Sequence, residues 1–195
     1  MPIPVELPPT FTRALDDAPL IGAWICSGSQ VAAEIVASAG FDWLLIDGEH
    51  SPYSLETIAE LLRATDAYGP TRMVRVPVND TALIKQYLDV GAQNLMVPMV
   101  DTAAEAEKAV AAMYYPPRGV RGVGSALARS SRWNGVEGYL QKAAETVSLT
   151  VQIESFTAVE NAAEIAAVVG VDQVFVGPSV LAASMGLLGQ QTHPD

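Results

Sequence analysis

The stretch FDWLLIDGEHSP (residues 41–52) decides the fold, because an apolar run of strand length ends there in a tight polar turn. Similar strand-like runs lie at 21–26, 72–76, 94–99, 147–154 and 172–178. Helical patterns of about ten residues or more separate these runs along the chain. Strands that are apolar throughout and alternate with helices indicate a parallel sheet covered by helices.

The helical patterns lie at 30–39, 54–68, 81–91, 102–113, 136–146 and 156–168, with an irregular segment at 114–135. In the first of them, Val31, Ile35 and Val36 are predicted to form the buried face. Either an open doubly wound sheet or a barrel satisfies this alternation. The first strand is not followed by G-x-G-x-x-G, which disfavours a dinucleotide fold. Polar residues follow the strands, as they do at the carboxyl face of a (β/α)8 TIM barrel, so a barrel is preferred.

The chain length conflicts with a closed barrel. Only about six βα units fit into 195 residues, whereas an eight-stranded barrel needs ~250 residues. We therefore expect a single (β/α)-barrel domain over residues 1–195 that lacks the last β/α units of the fold. The loop-like ending QQTHPD suggests truncation, and a partner that completes the barrel is the alternative.

The composition limits the binding partners and the cellular compartment that can be expected. The formal net charge of −11 argues against nucleic acid and anionic membranes, since both need a positive surface. The first twenty residues do not resemble a signal peptide, and no apolar stretch approaches the length of a membrane span. A single cysteine, Cys26, is predicted to be a small buried hydrophobe in a reducing compartment. A cytoplasmic protein is the expectation.

Two strand ends carry the strongest candidates for chemistry. His50 lies three residues after Asp47 across a turn, so the two side chains could form a carboxylate–imidazole pair for general-base chemistry. A surface histidine beside a turn-capping aspartate is equally compatible with the spacing. Glu154 ends a buried-type strand, where a carboxylate needs a cation or donors. A metal ion and a buried salt bridge are both open as its partner.

Other candidates lie on the same predicted edge. Gln152 shares a strand face with Glu154 and could orient substrate or water. Arg75 could hold a carboxylate or an enolate oxygen, or form a structural salt bridge. Trp24 also lies in a strand, and the run Gly177, Pro178 and Ser179 precedes a helix whose free N–H groups suit a carboxylate. The methionines Met96, Met99 and Met113 are predicted to fill the core.

Several motifs in order resemble one family. FDWLLIDGEHSP, RVPVND, IKQYLDVGAQNLMVPMV, YPPRGVRGVGSALARSSRW, VQIES and VFVGPS are similar to the HpcH/HpaI family of class II pyruvate aldolases. The resemblance covers the chain from about residue 20. It implies a metal-dependent (β/α)8 barrel, assembled as a hexamer, that cleaves 4-hydroxy-2-oxo acids to pyruvate, or hydroxypyruvate, and an aldehyde.

The resemblance also implies roles for residues. His50 with Asp47 would be the acid/base dyad acting through water, and Arg75 would stabilise the enolate oxygen. Glu154 would bind the metal, which is Mg²⁺, Mn²⁺ or Co²⁺, beside Gln152. Trp24, Gly177, Pro178 and Ser179 would contact the substrate. Lys85 falls inside a predicted helix rather than at a strand end, which favours metal chemistry over a Schiff base.

One position departs from the family pattern. The family has aspartate as the second metal ligand after Gly-Pro-Ser/Ala, but this chain has Val180, which has no donor atom. Weakened metal binding and reduced activity are therefore predicted. A related citryl-CoA-type lyase, and a non-catalytic protein that only folds or assembles, are the alternative functions.

Overall fold

The computed structural model describes residues 5–15 and 18–194 and contains one parallel sheet. Its six strands run in the order β1-β2-β3-β4-β5-β6. They are β1 (Gly22–Ile25), β2 (Trp43–Asp47), β3 (Thr71–Arg75), β4 (Asn94–Val97), β5 (Ser148–Ile153) and β6 (Gln173–Val176). Each lies on or within a residue of a predicted run, so the predicted alternation of strands and helices is confirmed.

The helices between the strands lie in the predicted helical segments, and a short helix before the first strand was not predicted. They are α1 (Phe11–Ala14), α2 (Gln30–Ala37), α3 (Leu55–Ala64), α4 (Thr81–Asp89), α5 (Ala103–Met113), α6 (Tyr139–Lys142), α7 (Phe156–Glu160), α8 (Ala162–Ala166) and α9 (Pro178–Ser184). The predicted helix at 156–168 is split into α7 and α8, and α6 is continued by a 3-10 turn at Ala143–Glu145. Two further 3-10 turns lie in the irregular segment.

Side-chain caps fix where the helices begin. The hydroxyl groups of Ser29, Ser54 and Ser155 each accept a hydrogen bond from a backbone N–H in the first turn of the following helix. Asp80 does the same with its carboxylate before α4. Thr102 and Glu105 form a reciprocal capping box at α5. Such caps satisfy N–H groups that have no partner inside the helix, so each of these five helices starts directly after a polar residue.

Helices α2, α3, α4, α5, α7 and α8 cover one face of the sheet, which decides between the two architectures left open by the sequence. Alternate strand residues such as Leu44, Ile46 and Val74 pack in one large cluster with buried residues of α2, α3, α4, α5, α7 and α8. Their neighbours Leu45 and Met73 pack in a separate cluster on the other face, where Phe11 of the short helix α1 is the one helical residue among those that the structure describes. A doubly wound sheet reverses its strand order and carries helices on both faces. Sequential order with one-sided helices is the arrangement of a barrel wall.

The barrel is not closed by the described residues. Strand β1 pairs only with β2, and β6 pairs only with β5. Val174 and Val176 on β6 are 42% and 55% exposed, because no further strand or helix among the described residues covers that edge. The structure therefore shows an α/β half-barrel of six strands.

Two burial predictions are wrong. Val31 and Ile35 are exposed, and α2 instead buries Ala33 and Ala37 against the sheet, because small side chains let the helix lie close to it. Val36 is only partly buried at the margin of the core. Cys26 is exposed, since it follows the last residue of β1 and lies in the open loop at the strand end. Within residues 5–15 and 18–194, none of the helices has the length and apolar character required to traverse a bilayer.

Candidate active site

The carboxyl ends of β2 and β3 hold a buried ion pair between Asp47 and Arg75. The guanidinium donates through Nε to Asp47 Oδ1 at 2.9 Å and through Nη2 to Oδ2 at 2.8 Å. The two residues are register partners on adjacent strands, so their side chains leave the same face side by side. Both are almost fully buried. This bidentate geometry is the strongest form of a charged hydrogen bond.

Of the two arrangements left open for His50, the described residues show an exposed imidazole that makes no direct contact with the Asp47 carboxylate. Asp47 Oδ1 accepts hydrogen bonds from the backbone N–H groups of Glu49 and His50, at 3.0 and 3.3 Å. The imidazole itself is 65% exposed, and its Nε2 lies 3.9 Å from Glu49 Oε2. The Asp47 carboxylate is instead held by Arg75. A role for both residues acting through water stays a prediction.

Glu49 is a member of the site that the sequence reasoning did not select. Its Oε2 lies 3.0 Å from Arg75 Nη1, yet this buried oxygen accepts no hydrogen bond of good geometry within the described part of the chain. The contact is therefore a charge interaction rather than a directed bond. The DGEH turn contained the only available signal, a second acid directly beside the histidine.

Glu154 lies directly after β5, as predicted, in contact with Gln152. Gln152 Nε2 donates to Glu154 Oε2 at 2.6 Å, and the N–H of Met99 donates to Oε1 at 2.7 Å. Gly177 lies directly against both side chains. A Cβ added to it would lie only 2.7 Å from Glu154 Oε2 and from Gln152 Nε2. Only a residue without a side chain allows β6 to approach these two groups so closely.

The two buried carboxylates have opposite pKa shifts. Burial alone would raise the pKa of Asp47, but hydrogen bonds from Arg75 and backbone N–H groups, with the charge of Arg75, hold it below the ordinary value. The pKa of Glu154 is raised by burial and by the negative charge of Glu49, although the Met99 hydrogen bond and Arg75 oppose this. Asp47 therefore keeps its negative charge, whereas a nearby cation would stabilise the charged form of Glu154.

Trp24 and Arg75 connect the first strand to this site. The Arg75 guanidinium carbon lies 4.7 Å from the centre of the Trp24 ring, and Arg75 Nη1 lies 3.4 Å from Gln152 Oε1. Trp24 also meets Phe175 edge-on at 6.2 Å and stays 42% exposed. The predicted residues on β1, β2, β3 and β5 therefore converge at one edge, which we call the carboxyl-edge site.

The run after β6 is only partly as predicted. The N–H of Gly177 is not free, because it donates to the carbonyl of Ile153 at 3.0 Å. Pro178 has no N–H to offer. Ser179 and Val180 lie in the first turn of α9, and their N–H groups have no backbone partner among the described residues. Ser179 is exposed and its hydroxyl accepts from Gln191.

Met99 was predicted to fill the core, and this prediction is wrong. It is 48% exposed and has a left-handed backbone with φ of 52°, so it is not core filling. That conformation lets its N–H donate to Glu154. Met96 and Met113 are buried in the core as predicted. A backbone donor leaves no mark in a sequence, so Met99 could not have been found from residue type.

The donor set for a metal ion is sparse. Within the described ranges, no group of three or more His, Cys, Asp or Glu side chains is placed to hold an ion. Glu154 offers one carboxylate, and Glu49 offers one buried oxygen without a hydrogen bond. A hard ion such as Mg²⁺ keeps several waters and needs only one or two protein carboxylates. The residues therefore fit an ion held mainly by water and substrate oxygens.

Comparison with known proteins identifies the family. The family model described as HpcH/HpaI aldolase/citrate lyase matches residues 20–195. The chain belongs to this family. It is 54% identical over 199 residues to the hydroxypyruvate/pyruvate aldolase of Deinococcus radiodurans, covering 100% of this chain and 72% of that protein. The family predicted from the motifs is confirmed, and with it a carbon–carbon lyase of the aldolase type.

Two further relatives of this family member support the same placement. The 4-hydroxy-2-oxo-heptane-1,7-dioate aldolase of Escherichia coli is 52% identical over 177 residues, which cover 91% of this chain and 68% of that enzyme. A crystal structure of an HpcH/HpaI aldolase/citrate lyase family protein from Burkholderia cenocepacia superposes with a TM-score of 0.90 at 43% identity. It matches 94% of this chain and 74% of that one.

Proposed function

We propose that this protein is a divalent-metal-dependent aldolase that cleaves or forms 4-hydroxy-2-oxo acids, with pyruvate or hydroxypyruvate and an aldehyde as the other partners. The observation that carries the proposal is the convergence of Arg75, Gln152 and Glu154 at one edge of the sheet. The names of the relatives from Deinococcus radiodurans and Escherichia coli describe the same kind of substrates.

Arg75 supplies the positive charge that such a reaction requires. Cleavage of the carbon–carbon bond leaves an enolate, whose oxygen carries negative charge that must be stabilised. Arg75 is held rigidly by Asp47 through two hydrogen bonds, so it needs no reorganisation to meet that charge. Gln152 and the exposed indole of Trp24 border the same space and would orient the keto acid.

His50 is the residue proposed to move a proton. Its imidazole is largely exposed above the site and close to Glu49. An imidazole can accept and return a proton through one water molecule. In the cleavage direction it would accept the proton of the 4-hydroxyl group, and in synthesis it would return it.

Glu154 is the residue proposed to hold the metal ion, with Mg²⁺, Mn²⁺ and Co²⁺ as the candidate ions. When bound, such an ion polarises the keto group of the substrate as a Lewis acid. Burial disfavours the charged form of the Glu154 carboxylate, so a cation beside it would stabilise that charge. Ser179 and the N–H groups of the first turn of α9, after Gly177 and Pro178, are proposed to receive the substrate carboxylate.

Val180 is the feature that favours a second candidate, a catalytically impaired family member. It takes the position at which the family resemblance expects the second metal ligand, and it lies in the first turn of α9. Loss of one carboxylate weakens an oxygen-ligated site and leaves activity low. Val180→Asp is therefore expected to tighten metal binding.

The experiment that tests the function measures pyruvate release from a 4-hydroxy-2-oxo acid, with and without EDTA. We expect slow, EDTA-sensitive release by the unmodified chain, faster release by Val180→Asp and none by Glu154→Gln. Val180→Thr is the matched control, since it keeps the shape without a carboxylate. EDTA-resistant turnover would contradict the metal route, and absence of turnover in both the unmodified chain and Val180→Asp would favour a non-catalytic protein.

We also propose that assembly or additional chain closes the barrel. The exposed valines of β6 and the apolar residues Val31 and Ile35 on α2 support this, since edge strands and apolar helix faces are normally covered. A homo-oligomer, with the hexamer as the expected form, and a cytoplasmic location complete the proposal. Sedimentation velocity tests it, because a monomer at all concentrations would contradict oligomer formation.

A further inference from the structure

A second polar centre lies at the opposite edge of the sheet, where β3 and β4 begin. A cavity of about 580 Å³ opens there, which we call the amino-edge cavity. Its walls include the strand starts at Thr71 and Asn94, the end of α3 and the segment 5–9. Since the carboxyl-edge site lies at the other ends of these strands, the cavity is separate from the proposed catalytic machinery.

Positive charge is concentrated in this cavity. Arg72, Arg129 and Arg132 all form ion pairs with the single carboxylate of Asp66, at 3.1, 2.7 and 3.5 Å. Three of the 11 basic residues of an acidic protein therefore share one acid, which leaves two positive charges uncompensated. Glu6 is the other acidic residue that lines the cavity, and no ion pair joins it to the arginines among the described residues.

Arg129 and Arg132 both keep N–H groups that donate to no acceptor in the described part of the chain. Arg129 is buried and donates only through Nη2, to Asp66. Arg132 donates Nη1 to the carbonyl of Arg129 and Nη2 to Asp66. The Nε–H groups of both have no acceptor in the part of the chain that the structure describes. Arg72 differs, because its Nη1 faces the carbonyls of Thr65, Tyr68 and Pro70, so it contributes charge rather than free donors.

The energetics favour an additional anion beside Arg129. Burial, and then the positive charges of neighbouring arginines, lower its pKa to about 10. None of the Arg129 nitrogens is a buried atom without a partner, so water reaches its unused donors from the cavity, and an anion would replace that water. Two planar arginine forks are well suited to phosphoryl or carboxylate oxygens.

We propose that the amino-edge cavity binds a small organic dianion, through a phosphoryl or dicarboxylate group placed between Arg129 and Arg132. Counting Glu6, the lining residues carry one positive charge in excess, and the two anionic oxygens of a dianion would face the two guanidinium groups. The cavity is larger than an inorganic phosphate ion, and its wall includes apolar residues of the N-terminal segment and α3, Leu7, Pro8 and Leu62. These surfaces fit the carbon skeleton of such a molecule.

Calorimetric titration of the full chain with inorganic phosphate, and separately with succinate, tests the proposal in EDTA-treated protein at constant ionic strength. Arg132→Gln is expected to raise the Kd by about tenfold or more, because it removes charged hydrogen bonds. Arg13→Gln removes the same charge at an exposed position of α1 and is expected to leave the Kd unchanged. Tighter binding of phosphate identifies a phosphoryl site, and tighter binding of succinate a dicarboxylate site.

The variants also guard against a folding defect. Arg132 is chosen over Arg129 because its side chain is less buried, at 17% exposed against 7%. Arg132→Lys keeps the charge but loses the fork, so it is expected to fold normally and still weaken binding severalfold. The proposal is overturned if neither anion binds, or if Arg132→Gln and Arg132→Lys bind as tightly as Arg13→Gln.

Discussion

Removal of Arg75 should destabilise the protein far more than removal of a surface arginine. In Arg75→Gln, Asp47 loses two hydrogen bonds of 2.9 and 2.8 Å, and it is only 2% exposed. Breaking a buried ion pair by deleting one partner costs about 3–5 kcal/mol, because the remaining charge is left uncompensated. Loss of the contact with Glu49 adds to this cost in the same direction.

The pH dependence of this loss has a definite sign. The pKa of Asp47 is depressed in the folded protein, so its pairing stabilises the fold above the unfolded pKa of about 4 and is lost as the pH falls below it. In Arg75→Gln the buried aspartate would instead prefer its neutral form. The difference in unfolding free energy between the two proteins should therefore be largest near neutral pH and shrink toward pH ~4.

Urea unfolding of four proteins measures the effect. The unmodified chain, Arg75→Gln, Asp47→Asn and the double variant form a thermodynamic cycle, with a coupling free energy of roughly 1–3 kcal/mol expected. Arg13→Gln is the charge-matched control, and its cost should stay within about 0.5 kcal/mol. Additive single changes, or a loss in Arg75→Gln as small as that of the control, would show that the pair does not stabilise the fold.

Three further predictions concern the site and the helices. Gly177→Ala should destabilise the fold by about 1–3 kcal/mol, since a Cβ there would overlap the Glu154 carboxylate; Gly124→Ala, where the space is open, is the control in the same unfolding assay. Mn²⁺ affinity, followed by electron paramagnetic resonance, should rise with pH from the ordinary glutamate pKa upward, because the raised pKa of Glu154 makes protons compete with the ion, and a flat profile would contradict this. Thr102→Ala should cost about 1 kcal/mol in thermal unfolding through loss of the α5 cap, and an unchanged Tm would argue against that role.

Sequence spacing was informative where structure is local. The DGEH turn, the VQIE strand end and the glycine after β6 were found because a strand end fixes where the next polar residues lie. Spacing misled at His50, since three residues across a turn suggested a contact with Asp47. The aspartate instead meets Arg75, 28 positions away, because the two are register partners on adjacent strands.

Which side chains are buried also depended on tertiary packing, which the local hydrophobic pattern does not specify. Val31 and Ile35 have the spacing of a buried helix face, yet α2 buries Ala33 and Ala37. The hydrophobic pattern gives only a preferred side, and the fit of the helix to the sheet decides which residues reach it. The gathering of Arg72, Arg129 and Arg132 around Asp66 had no sequence signal either, since these residues come from two segments about 60 positions apart.

The amino-acid sequence alone determined the alternation of strands and helices, the family and the identity of the polar residues at the strand ends. These follow from hydrophobic periodicity, capping residues and motifs, all of which act over a few neighbouring positions. Only the tertiary structure decided which charges pair, which face the helices cover and where cavities open. Those outcomes depend on distances between residues far apart in the chain, which sheet register and packing set.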